Sequence, residues 1–476
     1  MPIAIDYRLT PSVLRASLET FFELSAAKIL ALEKGWDASR GTPVFTVRGR
    51  YTTRGWTEWT QGFQYGSALI QFDATGDERF LEIGRRGTFE RMAPHVSHVG
   101  VHDHGFNNVS TYGHLRRLMR EGRLPFCEHE QAFYEMALKV SGAVQAARWT
   151  TIANGEGYIY SFNGPHSLFI DTMRSLRSLA LAHQLGHRLM GENDRSISLL
   201  RRMIEHARTT ATYALYFGKG RDAFDVRGRT AHESLFNLND GRYRCPSTQQ
   251  GYSPFSTWTR GLAWAILGFA EQAEFLDSLP DGAIEAELAG LPEASAKAVR
   301  ALFVECAEAT ARRYLDLACA DGIPVWDDGA PQLSKMGSYA GKRSNPSNPW
   351  EPFDSSAAAI AAQGLLRLGG LLDRRGRRPA SRTYRQAGWT VARTLFSDPY
   401  LSRSPRHQGL ILHSVYHRPN GWDYIAPGQK VPNGESSMWG DYHARELALM
   451  IWRELKRALP LRFFDVDPQI SPDLPD

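Results

Sequence analysis

The sequence predicts an all-α protein, a toroid of helical hairpins, and three observations carry that prediction. Apolar residues recur at helical spacing through most of the 476 residues. Good strand patterns are confined to two short segments, "PVFTVRGRYTT" and "GLILHSVYH". The helices are joined by tight turns on one side and by long connections rich in Gly, Pro and aromatic residues on the other. About twelve helices are expected on this spacing.

The first helix follows Thr10-Pro11, an N-cap and N1 proline, and sets Leu14, Leu18, Phe21, Phe22 and Ile29 on one face. "TQGFQYGSALIQFDATGDERFLEIGRRGTFERM" then reads as a helix, a tight turn at Thr75-Gly76-Asp77 and a second helix beginning near Asp77. The design returns in "SLRSLALAHQLGHRLMGENDRSISLLRRMIEHA", with its turn at Gly191 to Asp194 and with Ile197, Leu200 and Ile204 on one face. It returns once more in "SSAAAIAAQGLLRLGGLLDRRGRRPASRTYRQAGWTVARTL", where Ser381 is the expected cap. Further helices are expected near residues 107–120, 129–146, 258–278, 293–320 and 440–458. No Pro/Ser-rich linker divides the chain, so residues 1–476 are expected to form one domain. The long connections, 218–257 and 399–439, are where a site would be built.

Composition narrows the class of partner. The net charge of +5, from 56 basic and 51 acidic residues, is spread along the chain. Its one dense basic run, Leu371 to Gln386, reads as a solvated helix junction rather than a nucleic-acid patch. The start of the chain has no secretory pattern, and no window approaches the roughly 18 apolar residues of a membrane span. A cytoplasmic protein is therefore expected, with neither nucleic acid nor membrane as partner. Cys127, Cys245, Cys306 and Cys319 show no CxxC or framework spacing, which suits a reducing compartment and argues against structural zinc. Twelve Trp and 18 Tyr are a generous supply for a sugar-binding cleft as well as for a core. No Walker motif or GxSxG elbow is present.

Three constellations can carry chemistry. In "GVHDHGFNNVS" the pair His102 and His104 can chelate, but a closed metal site needs further ligands from elsewhere. Asp103 between them is otherwise a cap for the helix expected near Asn107, or a catalytic carboxylate. In "SLFIDTMRSL" a single acid, Asp171, enters an apolar helix flanked by Phe169, Ile170 and Met173. Desolvation there would raise its pKa and keep it protonated as a general acid; a helix-start carboxylate favoured by the macrodipole is the alternative. In the third cluster Trp258 and Trp264 flank Arg260, with Gln250 before it. A guanidinium fork suits a carboxylate and an indole face suits a sugar ring, although Trp258, Leu262, Ala265 and Phe269 also form a core stripe.

Together the segments "WTEWTQGFQYGSALIQFDATGD", "HDHGF", "SLFIDTMRSL", "TQQGYSPFSTWTRGLAWAILGF", "GIPVWD", "DSSAAAIAAQGLLRLG", "GLILHSVYHRPNGWD" and "MWGDYHARELAL" resemble, in order, the motifs of the unsaturated glucuronyl hydrolases, glycoside hydrolase family 88. The resemblance implies an (α/α)6 barrel and removal of 4,5-unsaturated uronic acids from lyase-generated oligosaccharides, with no metal or other cofactor. It implies Asp171 as general acid/base and Asp103 as its supporting carboxylate. Trp59, His102, His232, Gln250, Trp258, Arg260 and Trp264 are implied as substrate-binding residues, with Arg260 and Gln250 as the expected partners of the uronate carboxylate. Trp439 to Tyr442 are expected to close the barrel. His104 departs from the family pattern, and is expected to report what the substrate carries. An inverting hydrolase of saturated uronides, a sugar epimerase and a non-catalytic sugar-binding protein are the alternatives on the same frame.

Overall fold

Among the described residues twelve helices form six hairpin pairs, an (α/α)6 barrel, with two short extra helices at Ala93–Val96 and Asp281–Leu288. The structure is a computed structural model describing residues 2–55, 58–291 and 295–466. The outer helices are α1 (Arg15–Gly35), α3 (Glu78–Arg91), α5 (Glu128–Ala147), α7 (Leu199–Tyr213), α9 (Ala296–Leu317) and α11 (Arg378–Leu395). The inner ones are α2 (Gln61–Thr75), α4, α6, α8 (Thr259–Asp277), α10 (Ser355–Arg374) and α12 (Met438–Leu455). Helix α4 combines His104–Asn108, a π-helical turn Val109–Gly113 and His114–Arg120, and α6 combines Thr172–Ser175 with Arg177–Gln184. The helix expected over 293–320 begins at Ala296; residues 293 and 294 lie outside the described residues.

Burial separates the two rings. Outer helices bury one stripe, as α1 does with Leu18, Phe21, Phe22, Ile29 and Leu32. Inner helices are buried nearly all round: every residue of α8 from Thr259 to Leu276 is covered. Each inner helix packs on the next, and α12 returns to α2 to close the ring. The seams are made at glycines. A Cβ on Gly62 would strike the backbone of Asn107, one on Gly105 that of Ser175, one on Gly268 that of Met173, and one on Gly364 would meet Ile266 and Leu267.

Several sequence expectations need correction. The helix 355–374 is long and apolar enough to cross a membrane, with 94% of that window buried. No apolar window of this kind was expected; the inner ring needs one because no face of the helix meets water. "GLILHSVYH" forms no strand beyond an isolated Leu401–Ile411 bridge. Ser381 lies inside α11, which starts at Arg378 with Pro379 in its first turn. Ser198 caps α7, and the preceding turn is closed by a short strand pair, Leu189–Met190 on Ser196–Ile197. "PVFTVRGRYTT" does fold as a hairpin, β1 (Phe45–Val47) on β2 (Arg50–Thr52).

Below the N-terminal ends of the inner helices a buried ion cluster ties four of them together. Arg174 of α6 pairs with Glu271 of α8 and with Glu446 of α12 at 2.9 Å, and Arg367 of α10 pairs with Glu271 at 3.3 Å. Removing one partner strands the opposite charges in a dry interior. Arg174→Met is therefore expected to lower unfolding free energy by about 3–5 kcal/mol, measured by denaturant titration. A loss below about 1 kcal/mol, the range of an exposed pair, would show that the cluster does not tie the ring.

Candidate active site

The long connections all run from an outer helix to the next inner one, so they gather at the N-terminal ends of the inner helices. One cleft lies there. Its walls include Trp59 just before α2, Asp103 at the start of α4, Asp171 at the start of α6, and Trp258, Arg260 and Trp264 from the first turns of α8. His102 and Gln250 complete the expected set on the cleft wall. His232 stands one layer back, its ring 4.5 Å from that of Phe169 and 4.8 Å from that of Trp258.

Asp103 and Asp171 both occupy N-cap positions, yet neither side chain makes a capping hydrogen bond. Capping is therefore not what these carboxylates are for. The approach of α4 to α6 sets their separation: Gly105 lets the two backbones meet and its N–H donates to Ser175 Oγ at 2.9 Å. His102 Nε2 lies 3.9 Å from Asp103 and 3.6 Å from Asp171, and neither of its ring nitrogens has a hydrogen-bond partner among the described residues. One ring nitrogen of His102 and one oxygen from each aspartate fall within 4.8 Å of one another. The ring of His102 lies against Phe162, 6.2 Å away and nearly parallel, and meets Phe169 edge-on.

The protonation order is the reverse of the sequence expectation. Burial presses Asp171 to keep a proton, but the imidazole of His102 beside it outweighs burial and holds Asp171 below the ordinary aspartate value. Asp103 is raised, by burial first and by the charge of Asp171, against the pull of His102. His102 itself is raised: burial opposes its charge, and the two aspartates override burial. The apolar setting of Asp171 is as expected, with Phe169, Ile170 and Met173 fully buried. What outweighs it is an imidazole supplied from 69 residues earlier in the chain (171 − 102).

His104 takes no part in the cleft. Its Nδ1 meets Ser141 Oγ at 3.0 Å and its Nε2 meets the His98 carbonyl at 2.9 Å, so it neither completes a His102/His104 chelate nor touches a substrate. It belongs to a buried network in which Asn108 bonds Ser141 and the His95 carbonyl, while Asn107 bonds His95 and accepts the Gly62 N–H. Arg260 lines the cleft, but its terminal nitrogens donate to Gln250 Oε1 and the Tyr416 carbonyl at 2.8 Å, to Asp354 at 3.2 Å and to the Val415 carbonyl. It builds the wall and pins the 413–424 connection. Trp439 packs behind it, 5.1 Å from Trp59, and is fully buried.

The cleft also holds residues that sequence reasoning did not single out: Phe162, Gln249, Tyr416, His417, Asn420 and Trp422. The last four come from "SVYHRPNGWD" in the 399–439 connection. That segment has no periodicity to say which side chains turn inward, and length with Gly and Pro content was the available signal.

No protein-family model matches the chain. It is 27% identical over 416 residues to the unsaturated glucuronyl hydrolase of Bacillus sp. (strain GL1), covering 85% of this chain and 89% of that one. The solved structure of an unsaturated glucuronyl hydrolase specific for heparin superposes with a TM-score of 0.68 at 19% identity, covering 94% and 99% of the two chains. A mutant of the Streptococcus agalactiae unsaturated glucuronyl hydrolase, solved in complex with dGlcA-GalNAc6S, gives a TM-score of 0.61 at 18% identity, with 92% of each chain covered. With the barrel closed, the eight motifs in place and both aspartates in one cleft, the chain is similar to the unsaturated glucuronyl hydrolases over most of its length.

Proposed function

We propose that the protein is a hydrolase releasing 4,5-unsaturated glucuronic acid from the non-reducing end of small anionic oligosaccharides. The observation that carries this is the compact acid–imidazole–acid group of Asp103, His102 and Asp171 in an aromatic cleft. The substrate is a vinyl ether. A proton delivered to C4 leaves an oxocarbenium-like cation at C5; water adds there and loses a proton, and the hemiketal opens to release the aglycone. Asp171 serves both proton transfers, since it gives one proton to C4 and takes one from water. The imidazolium of His102, 3.6 Å away, is where that proton rests between turnovers. The negative charge of Asp103 faces the cation as it develops.

Charge in the cleft supports an anionic sugar. The inner helices present their N-terminal ends to it, and the partial positive charge of those ends favours a carboxylate. Trp59, Trp258 and Trp422 line the cleft and supply the aromatic surface that suits the apolar face of a sugar ring. The inverting alternative fits poorly: its two carboxyl groups need about 6.5–9.5 Å between them for a water, whereas oxygens of Asp103 and Asp171 approach within 4.8 Å. We also propose a cytoplasmic location, which the four unpaired cysteines support.

With lyase-generated disaccharides, the ultraviolet absorbance of the C4=C5 bond is expected to disappear, with deuterium entering C4 in heavy water. Asp171→Asn is expected to reduce kcat by about 10³-fold with binding largely kept; persistent absorbance with the parent protein across several such substrates sinks the proposal. The pH profile has a worked sign. His102 titrates above its ordinary 6.5, so the stored proton is present below that raised value and activity falls as pH rises through it. His102→Gln should remove this alkaline limb, and an unchanged limb would exclude His102 as the store. Prolonged dialysis against a chelator is expected to leave turnover unchanged, whereas a loss restored by one divalent ion would convert the three-residue group into a metal site.

A further inference from the structure

Two adjacent acids outside the cleft hold the strap that forms one of its walls. Residues 248–257 connect the sheet strand Tyr243–Ser247 to α8, and carry Gln249 and Gln250 into the cleft. Asp327, fully buried, accepts the Tyr252 N–H at 2.8 Å on one oxygen and the Gly329 N–H at 2.9 Å on the other. Asp328 accepts the Thr257 N–H at 2.6 Å, and its own N–H donates to the Thr257 carbonyl. Arg313 pairs with Asp328 at 2.5 Å. Gly251 lies between Asp327 and Thr248 with no room for a Cβ, so the strap sits directly on the carboxylate.

The strap reaches further. The Gln249 N–H donates to His232 Nδ1 at 2.9 Å, and the Gln250 N–H approaches the same atom at 3.4 Å. A ring nitrogen that accepts from backbone amides carries no proton, so His232 is held as the neutral tautomer with its hydrogen on Nε2. That Nε2 is buried and has no partner among the described residues.

We propose that Asp327 is a positioning residue: through the Tyr252 amide it seats the 248–252 strap, which places Gln249 and Gln250 against the substrate and fixes His232 as an Nε2–H donor. The consequence for substrate rests on the hydrolase reading above; the His232 tautomer does not. Burial and the charge of Asp328 push Asp327 up to about 7, so the comparison belongs at a pH about one unit above that, where the carboxylate is ionised.

The test compares the parent with Asp327→Asn, which leaves one acceptor oxygen for the two amides of Tyr252 and Gly329, and Gly251→Ala, which lifts the strap and leaves Asp327 unchanged. Both are expected to raise KM about tenfold while kcat stays within about twofold, the signature of lost ground-state binding. In unliganded protein with nitrogen-15 histidine, assigned through His232→Gln, Nδ1 of His232 should lose its acceptor signature in both variants. Folded variants with the parental KM and the parental His232 signature would overturn the proposal, as would failure of both to fold, which would leave Asp327 a role in stability alone. If Asp327→Asn alone fails to fold, Gly251→Ala decides. If the parent turns over no unsaturated oligosaccharide, the functional reading fails and the His232 signature still decides the role of Asp327.

Discussion

Six helices can surround one axis only if neighbouring backbones nearly touch, and this closeness is the constraint on which the rest of the molecule depends. Ordinary side chains at the seams would widen the ring. Gly62, Gly105, Gly268 and Gly364 remove them where α2 meets α4, α4 meets α6, α6 meets α8 and α8 meets α10. The second seam has a chemical consequence. Asp103 lies two residues before Gly105 and Asp171 four residues before Ser175, so the distance between the two acids is set by how closely those backbones pack. A barrel with looser seams would keep every residue of the cleft and lose the 3.6 Å and 3.9 Å approaches to His102.

The ion cluster beneath the cleft fixes the other coordinate, the depth of α6. Arg174 follows Asp171 by three residues, so about one helical turn separates the acid in the cleft from a guanidinium held by Glu271 and Glu446. Buried pairs of this kind add little net stability over an apolar replacement of the same shape, but they tolerate only one arrangement of their partners. Packing with Leu and Ala would let α6 slide along its neighbours; a paired Arg174 does not.

Much of this was legible in the sequence. A toroid of about twelve helices in hairpins follows from helical spacing and alternating connection lengths, the family resemblance implies its (α/α)6 form, and the twelve main helices begin and end within a few residues of the expected places for most of the chain. Of the nine expected site residues, all but His232 line the cleft. What was not legible depends on contacts between distant segments. An acid in the apolar company of Phe169, Ile170 and Met173 reads locally as one with a raised pKa, and only the fold brings His102 to override that environment. His104 is expected to report what the substrate carries because it departs from the family pattern, whereas the fold turns its ring away from the cleft to Ser141 on α5. Tyr416, His417, Asn420 and Trp422 sit on an irregular segment, whose inward side is decided by Arg260 and Asp423 rather than by any repeat: Asp423 accepts the Tyr416 and His417 amides.

Arg260 shows why residue type alone could not assign the carboxylate partner. A guanidinium in a sugar cleft invites a bidentate pairing with the substrate, but a group already bonded to Gln250, Asp354 and two carbonyls can turn to a ligand only by breaking the wall it supports. Its indole neighbours, Trp258 at 4.6 Å and Trp439 at 5.1 Å, pack against the guanidinium. The attraction for an anion then comes from a less local source: the aligned dipoles of inner helices whose first turns surround the cleft. Such a field discriminates weakly among anionic sugars, so discrimination falls to shape, and the shape is drawn by two irregular connections that Arg260 and Asp327 hold in place. On the proposed function, the acid/base pair thus stands on the barrel's inner ring, while the walls that would choose the substrate stand on its loops.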